Sequence, residues 1–182
     1  MVLAPHVEVD LAALRRNLYA SSSCGICGKA TIENVLASAP PLDDDHSTIR
    51  ASILRSLPAS LGDEQNGFRS TGGLHAAGLF DAGGRMLVVR EDVGRHNAVD
   101  KVVGWAASRR LLPLAGHALM VSGRVSYEIV QKALAARIPV VAAVSAPSSL
   151  ALDLAEASGI AVVGFLRGDA MNVYTHGWRV LA

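Results

Sequence analysis

Cysteine is scarce in this 182-residue chain, which holds only Cys24 and Cys27, both in the segment SSSCGICGKATIEN. A disulfide between residues this close would close too small a loop to constrain the rest of the chain, which excludes a disulfide-stabilised scaffold. Positive charge is not in excess either, because 17 Lys and Arg side chains face 16 Asp and Glu side chains. We therefore expect no nucleic-acid partner, and any bound anion needs a local site.

Long apolar runs are also missing. No run approaches the roughly 18 residues of a membrane span, so we expect no membrane partner. Near the start of the chain, His6, Glu8 and Asp10 interrupt the stretch in which a signal peptide needs continuous apolar residues. We expect a cytoplasmic protein. Its apolar content of 51% is enough to build one core, and we expect a single domain over residues 1–182.

The second half of the chain alternates short apolar runs with helical patterns. The runs ALMVS, VVAAVS and IAVVGF are typical of buried strands, and the segments YEIVQKALAAR and SLALDLAEAS between them have helical spacing. This series predicts an α/β fold, with a mostly parallel sheet, helices on both faces and NVYTH as a final strand near the edge. LHAAGLF and RMLVVR flank DAGG, which predicts an antiparallel hairpin, and RHNAVDKVVGWAASRR is predicted to be the next helix.

The first half has mainly helical spacing. After a short strand in HVEVDL, we predict helices in LAALRRNLYA, KATIENVLAS and TIRASILRSL. Ser47 would cap the last of these, which would end before Pro58 and a polar loop, GDEQNGFRSTGG. These helices would form an N-terminal layer that carries the C-x-x-C loop.

Three predicted strand-to-helix junctions are rich in small and polar residues: REDVGRHN, SGRVS and SAPSS. Ligands of α/β sheets bind beyond the carboxyl ends of the strands, where the next helix offers N–H groups. Arginine presents a planar fork that matches phosphate oxygens, so Arg95, His96 and Arg124 are the candidates for binding phosphate. The alternative is that these residues only form turns and helix caps, as in any α/β protein.

The two cysteines allow several interpretations. Zinc would need two further ligands, and with no other cysteine in the chain these would come from the six scattered histidines. Gly25 and Gly28 give the loop conformational freedom, and Lys29 with the N-terminus of the following helix favours a thiolate. This environment suits a nucleophilic sulfur. The remaining alternative is that the cysteines are incidental small residues.

A partial deaminase pattern needs separate mention. Zinc deaminases carry H-x-E followed by P-C-x-x-C, and this chain has His6 and Glu8 followed by the two cysteines. Ser23 replaces the proline, and the histidine lies in a strand-like segment instead of opening a helix. A zinc-dependent deaminase therefore stays an alternative.

Six segments between Ser22 and His176 together resemble the successive conserved blocks of the FdhD family, the sulfur carriers needed to make formate dehydrogenase active. These segments are SSCGICGKATIE, TGGLHAAGLF, REDVGRHNAVDKVVG, SGRVSYEIVQKA, SAPSSLALDLA and GFLRGDAMNVYTH. The family's usual N-terminal portion has no counterpart here, so the chain resembles the C-terminal two-thirds of a typical member.

The resemblance implies that a cysteine desulfurase delivers persulfide sulfur to Cys24, with Cys27 as its partner in the relay. The acceptor would be the molybdenum bis(guanine dinucleotide) cofactor of formate dehydrogenase. The family motif would place the guanine dinucleotide against Phe165, Leu166, Arg167, Gly168, Asp169 and Ala170. The resemblance also implies a cytidine-deaminase-like fold, and we expect no permanently bound metal ion.

The chemistry of the residues agrees with this resemblance. Sulfur transfer needs a thiolate on a mobile loop, which cysteines between glycines provide. We therefore expect a sulfurtransferase with a cysteine desulfurase and formate dehydrogenase as partners. Because symmetric dimers are the commonest oligomers, we also expect a homodimer. A binding module that protects the cofactor without moving sulfur is the alternative from another functional class.

Overall fold

The runs that the sequence marks as strands lie side by side in one large sheet. The computed structural model describes residues 32–182. In this part of the chain the strands of the large sheet are β2 (His75–Asp81), β3 (Met86–Asp92), β4 (His117–Val121), β5 (Val140–Ala143), β6 (Ala161–Arg167) and β7 (Ala170–Val173). Their order is β3-β2-β4-β5-β6-β7. A second, two-stranded sheet pairs β1 (Ile49–Arg50) with β8 (Val180–Leu181), and a short 3-10 turn (Gly177–Arg179) precedes β8.

Helices cover both faces of the large sheet, as predicted. They are α1 (Ile32–Ser38), α2 (Ala51–Asp63), α3 (Asn66–Thr71), α4 (Arg95–Ser108), α5 (Tyr127–Ala135) and α6 (Ser149–Ser158). Because side chains alternate along a strand, Leu79 packs with α1, α4, α5 and α6 on one face, whereas Phe80 packs with α2 on the other. The sheet therefore lies between two apolar cores.

The prediction of a mostly parallel sheet needs a correction. The pairs β4–β5 and β5–β6 are parallel, whereas β2–β3, β2–β4 and β6–β7 are antiparallel. The hairpin strand β2 lies between β3 and β4, so the crossover through α4 joins strands of like direction that do not touch. The sheet is mixed, with a parallel centre and an antiparallel hairpin on each side.

The helix α2 differs from its prediction at both ends. Ser47 does not cap it, since the Ser47 amide bonds to the Asp45 carboxylate at 2.8 Å and the helix begins only at Ala51. Pro58 lies inside the helix, although an internal proline costs about 3 kcal/mol. The burial of Leu54, Leu57 and Leu61 against the sheet outweighs this cost.

The predicted polar loop GDEQNGFRSTGG is wrong, because it holds the end of α2 and the helix α3. The last edge strand begins at Ala170 and ends at Val173, earlier than predicted, and the other predicted elements within residues 32–182 are confirmed. The strand HVEVDL, the helix LAALRRNLYA and the cysteine loop lie outside the described residues, so the N-terminal layer and the single domain stay predictions. No helix among residues 32–182 is long and apolar enough to cross a membrane.

Candidate functional site

A cavity of about 380 Å³ opens at the edge of the sheet where β4 and β5 end. Ser122 follows β4 and Val144 follows β5, while His75 begins the neighbouring antiparallel strand β2. The cavity is lined by Gln65, Phe68, Gly72, Gly73, Leu74, His75, Ser122 and Val144. This is the edge at which the sequence predicts ligand binding.

Ser122 fixes the geometry of this edge. Its hydroxyl accepts a bond from the Ala76 amide at 2.8 Å, and its own amide donates to the Ala76 carbonyl at 3.0 Å. At the next residue, a Cβ on Gly123 would stand 3.2 Å from Nδ1 of His75 and 3.7 Å from Cδ of Arg95. The missing side chain at Gly123 therefore lets His75 and Arg95 approach the end of β4 together.

The turn into α4 is held by Asp92. The Asp92 carboxylate accepts bonds from the side chain of Lys101, the amide of Gly94 at 2.9 Å and the side chain of Asn97 at 3.0 Å. These bonds, with Lys101 contributing most, lower the pKa of Asp92 to about 2. Asp92 and Asn97 thus build the turn, which leaves Arg95 and His96 as the candidates of REDVGRHN for a ligand.

Arg95 carries a buried hydrogen-bond donor. Among the described residues, its Nε is buried and has no hydrogen-bond partner. A buried donor without a partner is costly, and the cost is relieved when an acceptor is bound. An anionic oxygen such as that of a phosphate would satisfy this donor.

His96 contacts α5 and its cap. Its Nε2 lies 2.7 Å from Oγ of Ser126 and 3.6 Å from Oε2 of Glu128. Burial lowers the pKa of His96, and the nearby charges of Arg95 and Lys132 lower it further against the opposing effect of Glu128. The neutral ring with one nitrogen engaged is a weak phosphate ligand, so the predicted role of His96 rests on its other nitrogen alone.

The segment that the resemblance assigned to the guanine dinucleotide forms the hairpin of β6 and β7. Phe165 is 40% exposed and has φ 50°, and its amide donates to the Ser145 carbonyl at 3.2 Å. Arg167 donates through Nε to the carbonyl of Val144 at 2.9 Å. This bond places Arg167 beside the cavity, because Val144 lines it.

The remaining residues of this segment divide into turn, surface and core. Gly168 has φ 55° in the hairpin turn, and the carbonyl of Asp169 accepts a bond from Arg55 at 3.1 Å. Ala170 is exposed, whereas Leu166 is fully buried in the core on the α2 face, so the side chain of Leu166 serves packing. Elsewhere at this edge, Arg124 is exposed.

The cavity therefore lies between two of the predicted groups. Arg95 adjoins it beside His75, and Arg167 adjoins it at Val144. Sequence reasoning missed Gln65, Phe68 and His75. The available signals were the single aromatic residue in the polar segment GDEQNGFRSTGG and the block TGGLH, which overlaps the end of that segment.

The two cysteines, with His6 and Glu8 of the deaminase pattern, lie outside the described residues. Within residues 32–182, no group of three or more His, Cys, Asp or Glu side chains is arranged to hold a metal ion. The predicted roles of Cys24 and Cys27 stay predictions.

Comparison with known proteins places this chain among relatives over nearly its whole length. The family model described as FdhD/NarQ family matches residues 2–181. The chain belongs to the FdhD/NarQ family. It is 54% identical to the sulfur carrier protein FdhD of Mycobacterium tuberculosis over 183 residues, which cover 99% of this chain and 66% of the relative. It is 52% identical to the protein of the same name in Streptomyces coelicolor, covering 97% of this chain and 64% of the relative.

A solved structure of a related protein shares the fold. It comes from Desulfotalea psychrophila and is assigned as a formate dehydrogenase accessory protein. The TM-score is 0.73 at 32% sequence identity, and the match covers 82% of this chain and 62% of that one. The family assignment and the mixed α/β fold therefore agree, although this chain spans slightly less than two-thirds of these family members.

Proposed function

We propose that this chain is a sulfur carrier that accepts sulfur on its C-x-x-C loop and delivers it to the molybdenum bis(guanine dinucleotide) cofactor of formate dehydrogenase. The observation that carries the proposal is the 54% identity, over 99% of this chain, to a protein named sulfur carrier protein FdhD. The accessory role in the name of the structural neighbour supports formate dehydrogenase as the enzyme that is served.

The proposed transfer uses both cysteines. The Cys24 thiolate attacks the outer sulfur of a persulfide on a cysteine desulfurase, and the donor's cysteine leaves as a thiolate. The Cys27 thiolate then attacks the Cys24 sulfur, so a disulfide between the two forms and hydrosulfide leaves for the acceptor. The two thiolates supply the two electrons that convert the transferred sulfur to sulfide, and a cellular thiol must reduce the disulfide before the next cycle.

The cofactor is the substrate of this transfer, and the sheet edge offers groups that suit it. The Nε of Arg95, which is buried and has no hydrogen-bond partner within residues 32–182, fits a phosphate oxygen. Arg167 bonds to the carbonyl of Val144, which lines the cavity, and the exposed Arg124 follows the cavity residue Ser122 by two positions, so both would add positive charge at this edge. A guanine dinucleotide bound along Phe165 and Arg167, as the resemblance implies, would therefore lie next to these cations.

Other features of the proposal follow from the resemblance and from general expectation. They are a cytoplasmic location, a homodimer and a cytidine-deaminase-like arrangement of the sheet. A cytidine-deaminase-like arrangement would be built from the antiparallel hairpin β2–β3 beside the parallel strands β4, β5 and β6.

The test is intact-protein mass spectrometry after incubation with a cysteine desulfurase, its pyridoxal phosphate and L-cysteine. We expect the wild type, sampled early and before Cys27 has attacked, to gain the mass of one sulfur atom, with reversal by a thiol reductant. Cys24→Ser should abolish the gain, whereas Cys27→Ser should accept sulfur and retain it, because the second attack is missing. A folded Cys27→Ser protein that gains no sulfur would contradict the proposal.

The alternative without sulfur transfer makes a different prediction. A pure binding module would still activate formate dehydrogenase when both cysteines are replaced by serine. A zinc-dependent deaminase would instead carry about one zinc ion per chain after purification, which elemental analysis measures directly.

A further inference from the structure

A cluster of three polar side chains lies where α4 and α5 begin. Ser126 directly precedes α5 and is buried, while His96 and Glu128 lie in the first turns of α4 and α5. Nε2 of His96 lies 2.7 Å from Oγ of Ser126 and 3.6 Å from Oε2 of Glu128. Both contacts use Nε2, so Nδ1 is the ring nitrogen that remains for another group. The side chain of His96 is 31% exposed, and a further group can therefore approach it.

The carboxylate of Glu128 carries an unsatisfied acceptor in this cluster. Within residues 32–182, its Oε2 is buried and has no hydrogen-bond partner. Such an acceptor is costly to bury, and the cost falls when a positive charge forms beside it. The ring of His96 gains a positive charge when it takes up a proton. Oε2 of Glu128 is therefore placed to stabilise the imidazolium form of His96.

The neutral form of His96 is the form that accepts a proton. Burial lowers the pKa of His96, and the adjacent charge of Arg95 lowers it further. The other charged groups that act on the ring come from α4 and α5, and they are Glu128, Lys132 and Asp100. The Ser126 hydroxyl can accept the Nε2 proton, which leaves Nδ1 unprotonated. A base whose second nitrogen is held in this way is typical of sites that activate a nucleophile.

The helix α1 begins beside this cluster. Beyond the end of α5, Nη1 of Arg137 donates to the carbonyl of Pro41, just after α1, at 3.2 Å. At the other end, burial raises the pKa of Tyr127, the first residue of α5, and the charges of Glu128 and Glu33 raise it further. Glu33 lies in the first turn of α1. The two helices therefore run in the same direction, with their first turns side by side.

The C-x-x-C segment is joined to this end of α1. Cys27 is five residues before Ile32, the first residue of α1. Five residues span at most about 18 Å when fully extended, so the chain allows the Cys27 thiol to approach His96. A thiol needs a base at pH 7, because its ordinary pKa of about 8.5 leaves only a few per cent of it as thiolate.

We propose that His96 shuttles a proton during sulfur release, with Ser126 and Glu128 as its positioning residues. The proposal rests on the proposed function, in which Cys27 attacks the persulfide on Cys24. Nδ1 of His96 takes the proton of the Cys27 thiol as the Cys27 sulfur bonds to the inner sulfur of the persulfide. The bond between the inner and outer sulfurs breaks, and the outer sulfur leaves with its electron pair and receives the proton from Nδ1. An anionic persulfide and a thiol thus give a disulfide and hydrosulfide, with no other reactant.

The first test follows sulfur release in a single turnover without added thiol. The protein is mixed with one equivalent of desulfurase persulfide, quenched samples show the decay of the sulfur-loaded mass, and a fluorescent probe measures hydrosulfide. We expect wild-type release to be nearly independent of pH above the pKa of His96. His96→Gln should be slower by about thirtyfold or more at pH 7, the factor by which an ordinary thiol lacks thiolate, and should gain about tenfold per pH unit up to the thiol pKa. A wild-type rate and pH profile in His96→Gln would overturn the proposal.

His176→Gln is the matched control. His176 also lies beside a carboxylate, with its Nε2 3.9 Å from Oε2 of Glu156, but it contacts the last turns of α6. We expect His176→Gln to release sulfur at the wild-type rate. In the second variant, His96→Ala, added imidazole should accelerate release, because free imidazole can replace the lost ring. An equal loss in His176→Gln and His96→Gln would overturn the assignment, and so would a His96→Ala protein that imidazole does not accelerate.

The positioning residues have tests of their own. Glu128→Gln keeps the size of the side chain but loses its charge, so we expect release to slow by about three- to tenfold. NMR titration should also show a lower pKa of His96 in this variant, because the charge of Glu128 raises that pKa. Ser126→Ala should slow release, and Ser126→Thr should restore it by keeping the hydroxyl. An unchanged pKa of His96 in Glu128→Gln would refute the role of Glu128, and wild-type release by Ser126→Ala would refute that of Ser126.

Sulfur loading separates this inference from the proposed function. In the Cys27→Ser background, adding His96→Gln should leave the sulfur gain on Cys24 unchanged, since the shuttle acts only in the second step. Normal loading together with wild-type release by His96→Gln would overturn the shuttle and leave the sulfur carrier intact. Failure of folded Cys27→Ser protein to load sulfur would instead refute the sulfur carrier itself.

Discussion

Replacement of Arg179 by alanine should strongly destabilise the fold, because this side chain ties the C-terminal segment to the loop before β1. Arg179 is fully buried. Its Nη1 donates to Oδ1 of Asp45 at 2.8 Å and to the Ser47 carbonyl at 3.0 Å, and its Nε donates to the Gly159 carbonyl at 2.9 Å. The guanidinium also lies 4.3 Å from the ring centre of Trp178.

The expected cost follows from what the substitution leaves behind. The side chain of Asp45 is only 8% exposed, so Arg179→Ala would leave a buried carboxylate without its ion-pair partner. Removing one member of a buried ion pair typically costs about 3–5 kcal/mol. Because a domain is stable by only about 5–15 kcal/mol in total, we expect a large drop in the urea midpoint.

Urea unfolding followed by circular dichroism measures this cost, with Arg85→Ala as the matched control. Arg85 pairs with Asp81 at 3.0 Å, but its side chain is 78% exposed, so its loss should cost no more than about 1 kcal/mol. In the Arg179→Ala background, Asp45→Asn should recover part of the stability by removing the buried charge. Equal costs for the two arginine variants would refute the reasoning.

Three further predictions concern pH and the cavity. Burial alone would raise the pKa of Asp45, but hydrogen bonds from Ser47 and Arg179 hold its pKa below the ordinary value. The contribution of Asp45 to stability should therefore be complete above about pH 4, the range of an unfolded carboxyl, and should be lost as the pH falls through the pKa of the folded state. Acid unfolding curves of the wild type should show this loss, and those of Arg179→Ala should show much less of it. Burial and Arg95 lower the pKa of His96, so NMR titration should show a neutral ring at pH 7 and a higher pKa in Arg95→Ala; an unchanged pKa would contradict this cause. Gly123→Ala should weaken binding of GDP, used as a fragment of the proposed guanine dinucleotide, several-fold by displacing His75, whose Nδ1 would lie 3.2 Å from the new Cβ; titration calorimetry would detect the change.

Apolar patterning was enough to predict the central strands. The runs that become β4, β5 and β6 are buried on both faces, and such runs leave little choice of structure. The pattern could not reveal the antiparallel pairing of β2 with β4, because pairing direction depends on which strand inserts beside which. A single buried run is compatible with either direction.

The cavity could not be predicted for a different reason. The segment GDEQNGFRSTGG is polar and glycine-rich, which is typical of a loop, and a six-residue helix has little intrinsic stability. The helix α3 exists because Glu91, 23 residues beyond Phe68, accepts amides at its N-terminus. Local spacing carries no trace of such a long-range hydrogen bond, so Phe68 was assigned to a loop.

Two consecutive acidic residues at the end of β3 explain how one strand organises both sides of the site. Neighbouring side chains on a strand point to opposite faces. Glu91 accepts the amides of α3, whereas Asp92 accepts bonds from the turn that leads into α4. Lys101 bonds to the Glu91 carbonyl and to the Asp92 carboxylate, which couples the two contacts. The helix α3 with Phe68 and the turn that presents Arg95 are therefore anchored to adjacent residues, so a change in the end of β3 should move Phe68 and Arg95 together.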